Sequence, residues 1–133
     1  MDFGCGGGFM LASLSAAQLS LPLPQDARAK RVCEALLDSP AEDRSLAEWG
    51  RAVGASSRTL ARLFVRETGM SYGVWVQRMR LSLAVERLAL GESVTRIALE
   101  LGYATPSAFS AMFRRVLGTS PHRYMSVTQQ HLS

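Results

Sequence analysis

Past Asp43 the sequence contains no aspartate, and in 133 residues it contains a single lysine, Lys30. The other basic residues are all arginine, the side chain suited to bidentate contacts with phosphates and base edges. Cysteine is scarce as well. Cys5 and Cys33 stand far apart without companions at metal-ligand spacing, which excludes a zinc site and a disulfide framework. Two free thiols in a reducing cytoplasm is the plain reading. With His122 and His131 as the only histidines, no glycine-rich phosphate loop and no paired carboxylates, no catalytic constellation emerges, and neither metal nor cofactor is expected. His122 reads as a surface or phosphate-adjacent residue. No stretch reaches the roughly 20 predominantly apolar residues of a bilayer span, and Asp2 without an early lysine or arginine does not suit a secretory signal. A cytoplasmic protein with no membrane segment is expected.

What is present supports a folded helical chain. Hydrophobic residues make up 47% of the sequence, enough for a real core. The formal net charge of +4 is unevenly distributed. Residues 1–43 carry a net −3, residues 44–124 hold twelve arginines against five glutamates, and the last nine residues are uncharged. Nucleic acid is therefore the first partner to consider and an anionic membrane surface the second.

Residues 1–25 read as a linker or N-terminal stub: a glycine tract, a short helix over Met10–Leu19, then an extended connector at Pro22 and Pro24. Asp26 suits an N-cap, with Ala29, Val32, Cys33, Leu36 and Leu37 on one helical stripe and Pro40 as the stop. Ser45 and Glu48 form a capping box for a helix burying Leu46, Trp49, Gly50 and Val53, and Gly54 ends it. A short turn leads to SSRTLARLFVRETG, where Ser56 or Ser57 caps, Leu60, Leu63 and Phe64 face inward, and Gly69 closes. Arg58, Arg62 and Arg66 then recur four apart on another face, a ridge costly to hold unless something anionic faces it. Helix, glycine turn, helix with a polar face is the helix-turn-helix pattern.

A helix over about 72–90 follows, with Trp75, Met79, Leu83 and Leu88 on roughly one side; at about 28 Å it is long enough to act as a strut. The pattern then repeats. Ser45, Trp49, Val53 and Gly54 match Ser93, Ile97, Leu101 and Gly102 at an offset of 48, and Leu60, Phe64 and Gly69 match Phe109, Phe113 and Gly118 at 49. One extra residue therefore falls in the second turn. A duplicated helix-turn-helix is hard to reconcile with an ordinary bundle. Pro121 to Tyr124 fits a short final helix with proline at its first position.

These residues resemble the DNA-binding domain of AraC/XylS transcriptional regulators. The resemblance is carried by Ile97-Ala98, Gly102-Tyr103, Ser107, Phe109, Phe113-Arg114, Gly118, Pro121 and Tyr124, and by Leu60, Arg62, Phe64, Glu67, Thr68-Gly69 and Arg80-Leu81. It spans about residues 26–124 and departs at Met125, where the family more often has arginine. It implies an all-α, homeodomain-like fold of about seven helices: a first unit over about 26–70, a linker helix over 72–90, a second unit over 93–125 and a tail over 126–133. It also implies that the second helix of each unit, about 56–68 and 105–117, enters a major-groove segment of double-stranded DNA, on one face and about one helical turn apart.

The residues the resemblance places at base edges are Arg58, Ala61 and Arg62 in the first unit, and Pro106, Ser107, Ser110 and Ala111 in the second. Phosphate contacts fall to Ser57, Thr59, Arg66, Thr105, Arg114 and Arg115. Arg62 is the foremost reader, because a guanidinium bidentate to guanine is the commonest specific contact. The second set is small and short of long donors, so an unequal reader is expected, with the second unit contributing phosphate affinity and shape sensing. Arg80 and Arg87 read as structural, pairing with glutamates on or across the strut. RNA polymerase and an effector or dimerisation domain outside this chain are the further partners the resemblance implies. The alternative is a helical interaction module that contacts RNA polymerase or another regulator without reading DNA; the arginine ridge speaks against it, since interface cores are depleted in charge.

Overall fold

The computed structural model describes residues 21–132, with side chains through Val127; the helix expected over Met10–Leu19 lies outside the described residues. Among the described residues there are seven helices and no strand: α1 (Ala27–Asp38), α2 (Leu46–Val53), α3 (Ser57–Thr68), α4 (Tyr72–Ala89), α5 (Val94–Glu100), α6 (Pro106–Leu117) and α7 (Pro121–Leu132). They form two compact units that divide inside α4, after Arg80.

In the first unit Asp26 caps α1 by accepting from the Arg28 N–H, and the Arg28 guanidinium holds its carboxyl below the usual carboxylate range. Ala29, Val32, Cys33 and Leu36 are buried at i, i+3, i+4 and i+7. Leu37, expected on this stripe, falls at its edge and is 37% exposed. In α2 the Ser45–Glu48 capping box is complete in both directions. Only Trp49 and Gly50 are buried there, while Leu46 and Val53 are half-buried rather than inside. Ser56, not Ser57, caps α3 by accepting from the Thr59 N–H, and Gly69 ends it at φ 78°.

Leu60, Leu63 and Phe64 of α3 pack inward, and the Phe64 ring meets Tyr72 and Trp75 edge-on at 5.5 and 6.1 Å. Two indoles are anchored by their N–H groups. Trp75 Nε1 donates to the Pro22 carbonyl, so the proline connector is tied to the core, and Trp49 Nε1 donates to the Tyr72 hydroxyl, which donates in turn to the Arg44 carbonyl. Glu67, at the end of α3, has a long-range role: its Oε1 accepts from the backbone N–H groups of Gln25 and Asp26 at 2.9 Å each, satisfying donors at the entrance to α1. Arg80 is structural as expected, but the bonds it shows run to the main chain: Nε to the Pro40 carbonyl at 2.8 Å and Nη2 to the Glu42 carbonyl at 3.2 Å.

α4 is more than a strut. Trp75 and Met79 belong to the first core, whereas Leu81, Ala84 and Leu88 belong to the second. The apolar stripe changes phase between Met79 and Leu81, which is why Leu83, expected inside, is only partly buried.

In the second unit these residues pack with Val94, Ile97, Ala98, Leu101, Phe109, Met112, Phe113, Leu117 and Tyr124. Arg87 pairs with Glu92 and Glu100, as its glutamate-pairing reading anticipated, and Arg96 shares the Glu100 carboxylate. Partial burial pulls the Arg87 pKa down, but the hydrogen bonds it donates to both glutamates outweigh it and the net shift is upward. Thr105 caps α6 with Pro106 at its first position. The final helix, expected over Pro121–Tyr124, continues to Leu132.

The two turns share one closing bond, although Gly54 N–H reaches back to the Gly50 carbonyl whereas Gly102 N–H reaches the Leu99 carbonyl. Ala55 N–H donates to the Gly50 carbonyl at 3.0 Å, and Tyr103 N–H donates to the Ala98 carbonyl at 3.0 Å, the same six-residue closure 48 positions later. Gly54 and Gly102 supply the left-handed residue at φ 78° and 95°. The first turn is the tighter one: a Cβ on Gly50 would stand 2.1 Å from the Ala55 carbonyl oxygen, whereas its counterpart beside the longer turn is Ala98, with a methyl group fully buried.

Candidate nucleic-acid interface

A helix that buries one stripe leaves the opposite stripe to the outside. In α3 the positions opposite Leu60, Leu63 and Phe64 are Arg58, Ala61, Arg62 and Val65, at i, i+3, i+4 and i+7, with Ser57 and Arg66 beside them; all are exposed. Arg58, Arg62 and Arg66, like the exposed Arg31 and Arg51, form no hydrogen bond or ion pair with any described residue, whereas Arg28 pairs with Asp26, and Arg44 with Glu42 and over the Trp49 ring at 4.8 Å. The guanidinium groups of α3 are thus held on a rigid, capped helix with their hydrogen-bonding capacity unspent within the fold. Thr59 is different from its neighbours. It is half-buried and its Oγ1 accepts from the Ser56 hydroxyl at 2.9 Å, so it supports the cap as well as lying near the face.

Ala61, Arg62, Val65 and Arg66 border a shallow, open depression on the outer face of this helix. Val65, 54% exposed, is the large apolar residue within the arginine face, and it is absent from the contact residues that the sequence singles out. A signal for it exists: 65 lies one turn beyond 61 and 62 on the stripe that starts at 58.

In the second unit α6 buries Phe109, Met112, Phe113 and Leu117. Its outer side carries Ser107, Ala111, Arg114 and Arg115, all exposed, with Pro106 and Ser110 half-buried. The Thr105 hydroxyl oxygen accepts from the Ala108 N–H at 3.1 Å, which leaves its own proton to donate outward. Arg114 also lines a groove of about 520 Å³ together with Gly118, Thr119, Ser120 and Arg123. Ser120 accepts the Arg123 N–H at the start of α7, so Arg123 stands in that helix's first turn, where the dipole adds positive potential. Arg123 is the second residue that sequence alone does not single out, because the relation between residues 114 and 123 depends on the angle at Gly118. Cys33, by contrast, is inert: burial, with the Glu34 charge, pushes its thiol up to about 12.

A family described as a helix-turn-helix domain matches residues 49–126. The HTH-type transcriptional regulator NimR of Escherichia coli K12 is 37% identical over 109 residues, covering 82% of this chain and 40% of NimR. A putative AraC-like transcription regulator of Streptomyces antibioticus is 35% identical over 86 residues, covering 64% of this chain and 28% of that protein. The chain therefore spans less than half the length of these relatives. Among solved structures, the DNA-binding domain of the global transcriptional factor AdpA, in complex with a target DNA, superimposes with a TM-score of 0.66 at 28% identity, covering 76% of this chain and 92% of that one. Two capped helix-turn-helix units with matched turns, and this set of likenesses, lead to one assignment: the chain belongs to the AraC-type helix-turn-helix family.

Proposed function

We propose that this chain is the DNA-binding module of a bacterial transcription regulator, reading duplex DNA with α3 and holding it with α6. The observation that carries the reading is the α3 face, where three exposed arginines have no partner among the described residues on a helix whose other side is locked into the core. Arg62 and Arg58 have the reach and fork geometry to address guanine O6 and N7, and Ala61 offers a methyl group. Ser57, Thr59 and Arg66 serve the phosphates.

On α6 the small side chains of Pro106, Ser107, Ser110 and Ala111 allow close approach with little donor capacity. Thr105, Arg114 and Arg115, joined by Arg123, hold the backbone. The first unit therefore supplies most of the base readout and the second supplies affinity and sensitivity to groove shape. In the whole regulator, RNA polymerase and an effector or dimerisation domain are the further partners, and the site of action is the cytoplasm, at the nucleoid. No described helix is long and apolar enough to cross a membrane.

Duplexes selected from a random pool provide the test. Arg62→Ala is expected to lose about 1–3 kcal/mol on the selected site and to relax base preference there. An unchanged ratio of selected to scrambled affinity would remove Arg62 from the readout. Arg66→Ala should instead weaken both duplexes alike and lower the slope of log K against log salt by about one. A sequence-dependent loss in that variant would make Arg66 a base reader.

A further inference from the structure

We infer that Val65, together with Ala61, forms an apolar receptor on α3 for the C5-methyl group of one thymine, so that the chain reads a T·A pair by shape beside the guanine contacts of its arginines. The inference rests on the DNA-reading role proposed above and adds a specificity-determining residue to it. An exposed valine is ordinary when it stands alone on a surface. Here it stands on a basic face: Val65 is 54% exposed and lies one turn beyond Ala61, with Arg62 and Arg66 completing the same hollow.

The flanking guanidinium groups select the occupant. An apolar partner protein would have to desolvate both arginines without compensation, whereas duplex DNA brings phosphates and base acceptors for them and a methyl group for the hollow. In the major groove the thymine C5-methyl is the apolar feature that distinguishes T·A from the other pairs. Valine suits the task because branching at Cβ confines it to essentially one rotamer in a helix, so its two methyl groups present a fixed surface rather than a mobile chain. The Ala61 methyl lies one turn earlier, and Ala61 is too short to obstruct a base edge.

The experiment uses the full chain and a duplex selected from a random pool, in which each thymine is replaced in turn by deoxyuridine. This removes only the methyl group and leaves Watson–Crick pairing and hydrogen-bonding edges intact. The unaltered chain is expected to lose about fourfold in affinity at one thymine, the worth of one methyl group taken out of water. Val65→Ser should bind the thymine and deoxyuridine versions of that position equally, while keeping its sensitivity elsewhere. The side chain is largely exposed, so its melting temperature should be unchanged. If Val65→Ser and the unaltered chain give the same deoxyuridine profile while both still discriminate selected from scrambled duplex, the thymine receptor is wrong and DNA reading stands. A selected site without thymine has the same consequence. If no sequence is enriched and scrambled duplex binds as well as any other, DNA reading fails and takes the receptor with it.

Discussion

Phe113→Ala is expected to lower the unfolding free energy by about 3–5 kcal/mol, several times the effect of a typical substitution at an exposed site. The Phe113 ring is fully buried and holds two other aromatic rings in place: Phe109 at 5.7 Å and Tyr124, edge-on, at 5.6 Å. Truncation removes the transfer free energy of the ring, leaves a cavity, and loses both aromatic contacts. A domain of this size has a total stability of about 5–15 kcal/mol, so the loss amounts to a large share of it. The midpoint of urea unfolding should fall with little change in slope. DNA binding by the fraction that remains folded should be retained, because Ser107, Ala111, Arg114 and Arg115 lie on the outer side of α6. A loss below about 1 kcal/mol would mean that the second core is not organised around this ring.

The second large effect is expected at Gly50. Its carbonyl accepts from both Gly54 and Ala55 N–H groups, at 2.8 and 3.0 Å, so the residue sits where α2 ends and the chain folds back toward α3. A Cβ there would be 2.1 Å from the Ala55 carbonyl oxygen, a contact with main chain rather than with a side chain that could swing aside. Gly50→Val adds that atom and two further methyl groups, and the turn has to open to admit them. Overpacking of this kind costs up to about 3 kcal/mol, partly offset by removing a glycine from a helix. The turn also sets the position of Ser56 and hence the start of α3, so discrimination between selected and scrambled DNA should fall along with stability. Thermal unfolding of Gly50→Val followed by circular dichroism, with a gel shift on the same sample, measures both. Unchanged stability would show that the turn is looser than its geometry implies.

The local chemistry of the fold was largely legible. Ser45 with Glu48, and one of the two candidate serines, Ser56, satisfy N–H groups within three residues, and Gly54, Gly69, Gly102 and Gly118 take the left-handed conformation that ends or follows a helix. Each operates over a few residues of chain, so spacing alone reveals it. The internal repeat was legible for the same reason, down to the offset change from 48 to 49 that the two turns reproduce.

Misplacements arose where a partner lies far along the chain. Arg80 bonds to carbonyls some 40 positions earlier, and Glu67 caps residues 41 and 42 positions before it. Neither partner has a local signature. Leu83 and Leu37 were misplaced because a single stripe was extended across a helix whose burial changes phase, or one residue beyond its edge.

The sequence by itself determined the helices of the two units, the Asp26 and Ser93 caps, the Ser45–Glu48 capping box, the duplication, and the buried stripe of α3, because helical periodicity and capping are short-range. Tertiary structure alone decided that α4 serves two cores, that the proline connector is bound to Trp75, and that Arg123 joins Arg114 at one groove. Those properties depend on how elements pack, and packing is fixed by many weak contacts between residues distant in the chain.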